Sequence, residues 1–503
     1  MCMSANNSAP LRGLLQRCGA VALSVVLCSC AAGPNFARPS APPVTHYAFR
    51  ADPTVTDTAQ GTAQHFAPGA MLADNWWQLF NSAKLDTIVG DALARNAGLA
   101  AAQASLRQSE DSLRSGYGIF FPQIDADASA TRQRYAPVKL GQHVPSAVFN
   151  LFTLSASVSY ALDIFGGERR LIEALRAQVD LQRASEQATH LILASNIVNT
   201  VIARAAYGAE IEAAQQLVEL QREQVGLAEI QAQAGIVPYS NVLSLQSQLA
   251  SYQATIPPLQ QRLAQSEDLL ATLAGYVPAE WSAPEIGLAD LTLPSDLPVS
   301  LASELVRQRP DILMAEATSH AASAYIGVAT AALLPSFTLN GSYSANGLSA
   351  GSLMSASGRA WSVGADATAP LFQGGTLWFK RKAAIDNYQL AAALYRETVL
   401  AAFAQVADAL RALDDDAAAL NAQDAALQTA KEALHLIQTN YQAGLSTYLD
   451  VLNADAQYHL AAIADLQTTA LRYQDTVALF AALGGGWSNA ADSAGADPRA
   501  KGD

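Results

Sequence analysis

The chain has 503 residues, of which 50% are hydrophobic and only 15% are charged. Its 30 basic and 44 acidic residues give a formal net charge of −14, which argues against nucleic acid as a partner, because phosphate binding needs a basic surface. All four cysteines lie among the first 30 residues, which excludes disulfides and cysteine-based metal sites from the rest of the chain.

Residues 1–29 have the organisation of a secretory signal peptide. Two arginines precede the apolar run 20–27, which is too short to be a mature transmembrane helix. The sequence LCSC at 27–30 resembles a bacterial lipobox, in which only a cysteine thiol can carry the thioether-linked glyceride. We therefore predict cleavage before Cys30 and acylation of Cys30, with Cys28 the weaker candidate because large residues precede it. A plain secretory signal with incidental cysteines is the alternative.

The first half of the chain is predicted to contain a tether and then a helix and two strands. Residues 30–72 are rich in proline, alanine and threonine without helical periodicity, which predicts an extended tether. A first structural repeat is expected at 73–275. Within it, helical spacing at 84–118 changes to a period of two over strands at about 121–135 and 149–164.

The alternation in these strands has two interpretations. Apolar residues alternate with small polar ones, so each strand has one apolar and one polar face. Over about ten residues this pattern is typical of the wall of a water-filled transmembrane barrel. A half-exposed soluble sheet shows the same alternation.

Long helices follow the strands. The proline-free stretch 168–233 predicts a helix of about 98 Å. A glycine ends it, and a shorter helix then runs to residue 275. Residues 276–300 contain four prolines and are predicted to be a linker.

The same order of elements recurs in a second structural repeat at 301–486. Strands are predicted at about 335–346 and 360–371, and a second long proline-free helix at 376–442. Apolar residues recur every seven positions in that helix, which predicts nearly parallel packing with a left-handed supercoil; an ordinary antiparallel coiled coil has the same repeat. The polar tail 487–503 is expected to be disordered.

Two hairpin tips mark the duplication. The stretches QAGIVPYSNVL and NYQAGLSTYLDVL both stop a helix at an Ala-Gly pair and restart it before a Val-Leu pair, with an offset of 209 residues. Gly235 and Gly444 are predicted to close their helices in the left-handed conformation. Thr447 with Asp450 three residues later predicts a capping box.

Four strands per chain imply an oligomer if the sheet spans a membrane. Known transmembrane barrels have about eight strands or more, and open strand edges are not tolerated in lipid. Three chains would supply twelve strands, so a trimer with one shared barrel is the simplest arrangement.

Five motifs in order resemble the outer-membrane efflux proteins, specifically TolC-like lipoproteins of the NodT type. They are CAAGPNF at 30–36, LVRQRPDI at 305–312, the Leu-Pro pair at 334–335, LFQGG at 371–375, and the tip motif at 441–452. The resemblance covers nearly the whole mature chain.

The resemblance implies a mainly α-helical fold with transmembrane β-structure. Its expected form is a homotrimer in the Gram-negative outer membrane, lipid-anchored at Cys30, with a 12-stranded β-barrel continuous with a periplasmic α-helical barrel and the linker in an equatorial belt. The implied function is the passive exit duct of a tripartite efflux pump for drugs and other toxic compounds. A periplasmic adaptor would join it to an inner-membrane pump, usually of the resistance-nodulation-division type.

The resemblance also assigns roles to the tips. Asp450 matches the family's aperture aspartate, and three such carboxylates at a constriction would favour cations and form a gate. Asn453 stands where a second aspartate is usual, and Asn241 is the counterpart of Asp450 in the first repeat. Helix capping alone is the alternative role for Asp450. The tips at Gly235 and Gly444 are expected to contact the adaptor.

No catalytic constellation is evident. The seven histidines lack metal-ligand spacing, His435 and His459 are expected at the surface, and the acidic run 414–416 is expected on a solvated face. We therefore predict neither an enzyme nor a cofactor beyond the lipid. The alternatives are the duct of a type I protein-secretion system and a structural coiled-coil lipoprotein; the latter does not explain the duplicated strand pairs.

Overall fold

The computed structural model describes residues 31–49, 52–135 and 146–485. The predicted signal peptide, Cys30 and the polar tail therefore lie outside the described residues. The chain divides into two units. Unit 1 contains Arg107–Leu181, Glu316–Leu394 and the described part of Met1–Arg38; unit 2 contains Pro39–Leu106, Gln182–Ala315 and the described part of Tyr395–Asp503.

The described residues form six strands and eight α-helices. The strands are β1 (His65–Pro68), β2 (Gln123–Tyr135), β3 (Ala147–Leu162), β4 (Asp296–Val299), β5 (Ser336–Gly347) and β6 (Arg359–Thr368). The helices are α1 (Ala83–Arg95), α2 (Ala97–Gly116), α3 (Gly167–Gln233), α4 (Tyr239–Leu273), α5 (Ala302–Gln308), α6 (Pro310–Ala331), α7 (Thr376–Gln442) and α8 (Tyr448–Ala482).

The four large helices have the same lengths and the same spacing in the two repeats. Helices α3 and α7 each have 67 residues, and α4 and α8 each have 35. Each helix of the second copy begins and ends 209 residues after its counterpart, the same offset that separates Gly235 from Gly444. The two hairpins, α3–α4 and α7–α8, are therefore equivalent in length and in the position of their tips.

Unit 1 contains a four-stranded antiparallel sheet in the order β2-β3-β5-β6. Residues opposite each other in the register share a face. One row across all four strands is Asp125, Ser157, Ser342 and Ser362. The next row is Ala126, Ala156, Tyr343 and Trp361. The alternation of the four separate strands thus combines into one polar and one apolar face.

No other described segment of the chain covers the apolar face of the sheet. Ile124, Trp361 and Val363 are each at least three-quarters exposed. Strands β2 and β6 lie at the two edges of the sheet. A soluble protein rarely leaves a contiguous apolar face of this kind open to water.

Unit 2 holds the main hydrophobic core. Trp76, Phe80 and Phe480 are buried there, and the Trp76 and Phe480 rings lie 5.5 Å apart. Strands β1 and β4 form a small parallel sheet, so part of the predicted tether and part of the predicted linker pair with each other.

The segment that follows Cys30 is bound to unit 1. The Ala32 N–H donates to the Phe165 carbonyl at 2.8 Å, and the buried Arg170 donates to the Ala32 carbonyl and to Asn35 Oδ1. The Phe36 ring stacks on His320 with centroids 4.3 Å apart. Residues 31–38, the first described part of the predicted extended tether, are thus docked on unit 1.

The RPD motif separates two helices at the start of the second repeat. Helix α5 stops at Gln308 because Pro310 disfavours the helical conformation at Arg309, and α6 starts at Pro310. Arg309 is 6% exposed and donates to the Ala482 carbonyl at 2.7 Å and to Gln405 Oε1 at 2.7 Å. The motif therefore fastens the end of α8 to α7 inside unit 2.

Candidate functional site

Both hairpin tips are closed by a glycine in the left-handed conformation, as predicted. Gly235 has φ 72° and Gly444 has φ 73°. At the second tip the Leu445 N–H donates back to the Asn440 carbonyl at 2.8 Å, and at the first tip the Ile236 N–H donates to Gln231 at 2.9 Å. These bonds satisfy carbonyls that the helix ends would otherwise leave unpaired.

Only the second tip restarts with a side-chain cap. The Thr447 N–H and hydroxyl donate to Asp450 Oδ2 at 2.8 and 2.6 Å, and the Asp450 N–H donates to Thr447 Oγ1 at 3.2 Å. The predicted capping box is therefore confirmed. In the first repeat Pro238 occupies the cap position and makes no side-chain cap.

The capping geometry leaves Asp450 in solvent and ionised. The side chain is fully exposed, and the hydrogen bond from the Thr447 hydroxyl, followed by that from its backbone N–H, lowers the pKa of Asp450. Asp450 can therefore cap helix α8 and present a negative charge at the tip at the same time.

Asn453 lies one helical turn beyond Asp450. Both residues line an open crevice of about 310 Å³ between α7 and α8. Ala430, Ala433 and Ile437 form the α7 side of the crevice. The structure thus brings the two residues with a predicted gate role onto one surface, beside small apolar side chains.

A tyrosine joins the second tip to the other hairpin. The Tyr448 hydroxyl donates to Glu223 Oε2 on α3 at 2.8 Å, and this bond raises the pKa of Tyr448. The Tyr441 and Tyr448 rings lie 5.5 Å apart. Sequence reasoning missed this contact, because 225 residues separate its partners and neither has a local signature.

Apolar side chains project from both tips. Ile236, Tyr239 and Leu243 are exposed at the first tip, and Leu445 is 79% exposed at the second. The tips therefore offer apolar surface next to the Asp450 charge, a combination typical of protein docking sites.

Two surface predictions need correction. His459 is half-buried and lies 3.5 Å from Asp455, with its pKa lowered by burial, whereas His435 is exposed as predicted. Asp416 is only 8% exposed, although Asp414 and Asp415 are exposed. The acidic run is therefore not a uniformly solvated face.

A duplicated unit with strand pairs and long paired helices is the architecture of TolC-like outer-membrane channel proteins. The family model described as outer membrane efflux protein matches residues 88–276 and 301–485. The chain belongs to this family, and its location is the outer membrane of a Gram-negative bacterium.

Several known proteins are similar over most of their length. The pyoverdine export outer membrane protein OpmQ of Pseudomonas aeruginosa is 30% identical, covering 82% of this chain and 88% of the relative. The cation efflux system protein CusC of Escherichia coli is 27% identical, covering 94% and 98%. The solved outer-membrane channel OprN is 26% identical, with a TM-score of 0.80, covering 91% of this chain and all of that one.

Proposed function

We propose that three copies of this chain form one outer-membrane channel, with a 12-stranded barrel continuous with a periplasmic helical barrel. The open edges of the four-stranded sheet carry the proposal. In lipid, each unpaired backbone N–H or C=O costs several kcal/mol, so β2 and β6 need partners there. Pairing β6 of one copy with β2 of the next satisfies both edges and adds no new element.

The internal duplication supplies a template for that pairing. Strand β5 corresponds to β2 at an offset of 213 residues, from the Pro122 and Pro335 pair. The hairpin registers then give an offset of 209 between β3 and β6, the same offset as in the helices that follow. The chain's own β3–β5 pairing is therefore equivalent to a β6–β2 pairing between copies.

Transferring the β3–β5 register to the open edges gives specific neighbours. Ala365 of one copy lies opposite Ala130 of the next, and Trp361 lies opposite Arg134. Polar residues meet in the same way, with Asp366 opposite Ser129. The apolar face of one copy continues into the apolar face of the next, a condition that a slip by one residue would violate.

The lumen of the barrel formed in this way would be filled with water. Its polar face carries Asp125, Asp127 and Asp366 among mainly uncharged polar residues of the described strands, with the apolar Phe149 and Leu151 near the start of β3. The opposite face would contact lipid through side chains such as Ile124 and Val363. An outward apolar and inward polar wall is the arrangement of outer-membrane pores.

The channel is proposed to be the passive exit duct of a tripartite efflux pump. Membership of the efflux family supports this role, as do the exposed apolar side chains at the tips around Gly235 and Gly444, which suit a periplasmic adaptor. The adaptor would link the duct to an inner-membrane pump of the resistance-nodulation-division type. Relatives of this chain include a pyoverdine exporter and a cation exporter, so the same kind of duct serves different compounds. The pump, and not the duct, would therefore select the small toxic compounds that are exported.

Asp450 and Asn453 are proposed to form the periplasmic gate. Three ionised Asp450 carboxylates drawn around one axis would favour cations and repel each other, so closure needs restraints. The bond from Tyr448 to Glu223 is one restraint present in each copy.

Cys30 is proposed to carry the lipid. Residues 31–38 dock beside the end of β3, where the Ala32 N–H meets the Phe165 carbonyl. Strand β3 ends at Leu162, so the docked segment begins close to the membrane boundary of the proposed barrel. An acylated residue immediately before Ala31 is therefore well placed to enter the inner leaflet.

Planar-bilayer recording of the purified full-length protein, with its mass measured in detergent, tests this proposal. We expect a mass of three chains and a small, cation-preferring conductance. A stable monomer without pores would contradict it. Efflux is tested separately by restoring drug resistance in a deletion strain that keeps its own adaptor and pump.

A further inference from the structure

The second hairpin contains a buried carboxyl group, Asp416, beside the half-buried carboxyl group of Asp475, and the channel function requires neither. Asp416 on α7 is 8% exposed, and the carboxyl of Asp475 on α8 lies within hydrogen-bonding reach of it. Asp416 Oδ2 is shielded from solvent and accepts no hydrogen bond from the described residues. A buried carboxylate oxygen without a donor is costly, and a proton shared between the two carboxyls removes that cost.

The neighbouring Arg472 does not supply the missing donor. It is 1% exposed, and within the described residues it donates to Gln64 Oε1 at 3.1 Å and to Thr56 Oγ1 at 3.3 Å. Its other two bonds reach the carbonyls of Ala59 and Thr62. All four acceptors are uncharged and belong to the segment 56–64, which therefore packs on α8 through this arginine.

The charges of the cluster balance only when one proton is present. One proton on the Asp416–Asp475 pair leaves a single negative charge beside the single positive charge of Arg472. The other charged group that acts on Asp416 is the exposed Asp415 on α7, which adds negative potential. Losing the proton would leave one buried and one half-buried carboxylate against one guanidinium, with no further cation from the segment 56–64.

The residues of this site occur in the second structural repeat and are replaced in the first. At the offset of 209 residues, the first hairpin has Tyr207, Leu263 and Ser266 where the second has Asp416, Arg472 and Asp475. The asymmetry is the same as at the tips, where Asp450 has Asn241 as its counterpart. The hairpin with the exposed tip charge is thus also the one with the Asp416–Asp475 pair.

We propose that Asp416 and Asp475 form a buried proton-binding site that fastens α7, α8 and the segment 56–64 together when occupied and loosens them when empty. Burial, then the contact with Asp475, raises the pKa of Asp416 to about 7. Stability from this site is therefore complete below the ordinary pKa of aspartate, 3.8, and is lost as the pH rises through about 7. The second hairpin is tighter in acid and looser in mild alkali.

Infrared titration of the full-length protein in detergent detects the proton directly. From about pH 5.5 to about pH 8.5, we expect wild type to lose a protonated-carboxyl carbonyl band that Asp416→Asn lacks from the start. Asp415→Asn, a change of the exposed neighbour, is expected to keep the band. Superimposable titrations of wild type and Asp416→Asn would overturn the proposal.

Hydrogen exchange shows whether the proton holds the hairpin together. In wild type, after correction for intrinsic rates, peptides covering Asp416 and residues 56–64 should exchange roughly tenfold faster at the alkaline end. Asp416→Asn, which mimics the protonated acid, should show no such pH dependence. Equal protection of these peptides at both pH values in wild type would refute the fastening role by itself, without any variant, and independently of whether the channel exports drugs.

Discussion

Replacing Arg309 by methionine tests the role assigned to the RPD motif. Methionine has similar length and no hydrogen-bond donors, so the Ala482 carbonyl and Gln405 Oε1 lose their partner. A hydrogen bond to a charged group contributes about 1.5–3 kcal/mol, so these two bonds sum to about 3–6 kcal/mol. The pair with Asp311 adds about 0–1 kcal/mol, because the Asp311 side chain is 45% exposed.

Part of that loss is recovered because methionine needs no desolvation of a guanidinium. We therefore expect a net destabilisation of about 2–4 kcal/mol, which for a chain of 503 residues corresponds to a fall in Tm of roughly 2–4 °C. Circular dichroism on the detergent-solubilised protein, at one scan rate, measures the shift. The matched control is Arg114→Met, since that side chain is 72% exposed and pairs only at the surface.

An Arg309→Met protein that melts within about 1 °C of wild type would refute this account of the motif. The same result in Arg309→Lys would not, because lysine keeps the charge and one donor toward Ala482. Lysine is expected to fall between wild type and methionine.

The remaining predictions concern the gate, the lipid and the membrane face. Asp450→Ala should raise the leak conductance and reduce cation preference in planar bilayers. The control Asn241→Ala, at the equivalent position of the first repeat, should change neither. If the two variants give the same conductance, Asp450 has only its helix-capping role. Cys30→Ser should abolish acylation, seen as a mass shift, yet still give trimers, and complete loss of trimers would show that the lipid is needed for assembly. Val158→Asp on the apolar face should prevent membrane assembly, whereas Ser157→Asp on the polar face should permit it, and failure of both would remove the distinction between the two faces.

The helical part of the fold was largely predictable from the sequence. The long helices, expected at 168–233 and 376–442, lie at Gly167–Gln233 and Thr376–Gln442. Absence of proline and an Ala-Gly stop are local signals, so single-sequence reasoning suffices for them. The capping box at Thr447 is equally local and was predicted for the same reason.

The strands were predictable one by one, but their arrangement was not. Alternation shows which side of β3 is apolar, yet it does not say which residue of β5 faces Val158. The register pairs Val158 with Gly341 and so aligns all apolar rows on one face. That information lies in the pairing itself, between residues that are 175 to 195 positions apart in the sequence.

Two features were missed for different physical reasons. The docking of residues 31–38 depends on the distant Arg170 and His320, and a proline-rich composition carries no signal for it. Asp416, by contrast, had a local signal. It stands three residues after Leu413 and four before Leu420, both buried, so helical spacing places it on the packed face of α7.

Disulfide trapping between copies tests the central claim, that β6 of one copy pairs with β2 of the next. In one chain, Ala130 and Ala365 lie on opposite edges of the four-stranded sheet and are offset by eight residues along the strands, so they are roughly 30 Å apart, which is too far for a disulfide. A chain carrying Ala130→Cys and Ala365→Cys is therefore expected to oxidise only between copies.

The double variant should give a covalent trimer on denaturing gels. The control, Ala126→Cys with Ala365→Cys, keeps the same face but shifts the register by about 13 Å along the strand, and should stay monomeric. Covalent trimers from the first pair alone are the predicted result. Non-covalent trimers that cross-link through neither pair would refute the register, and protein that remains monomeric in the membrane would contradict the shared barrel itself.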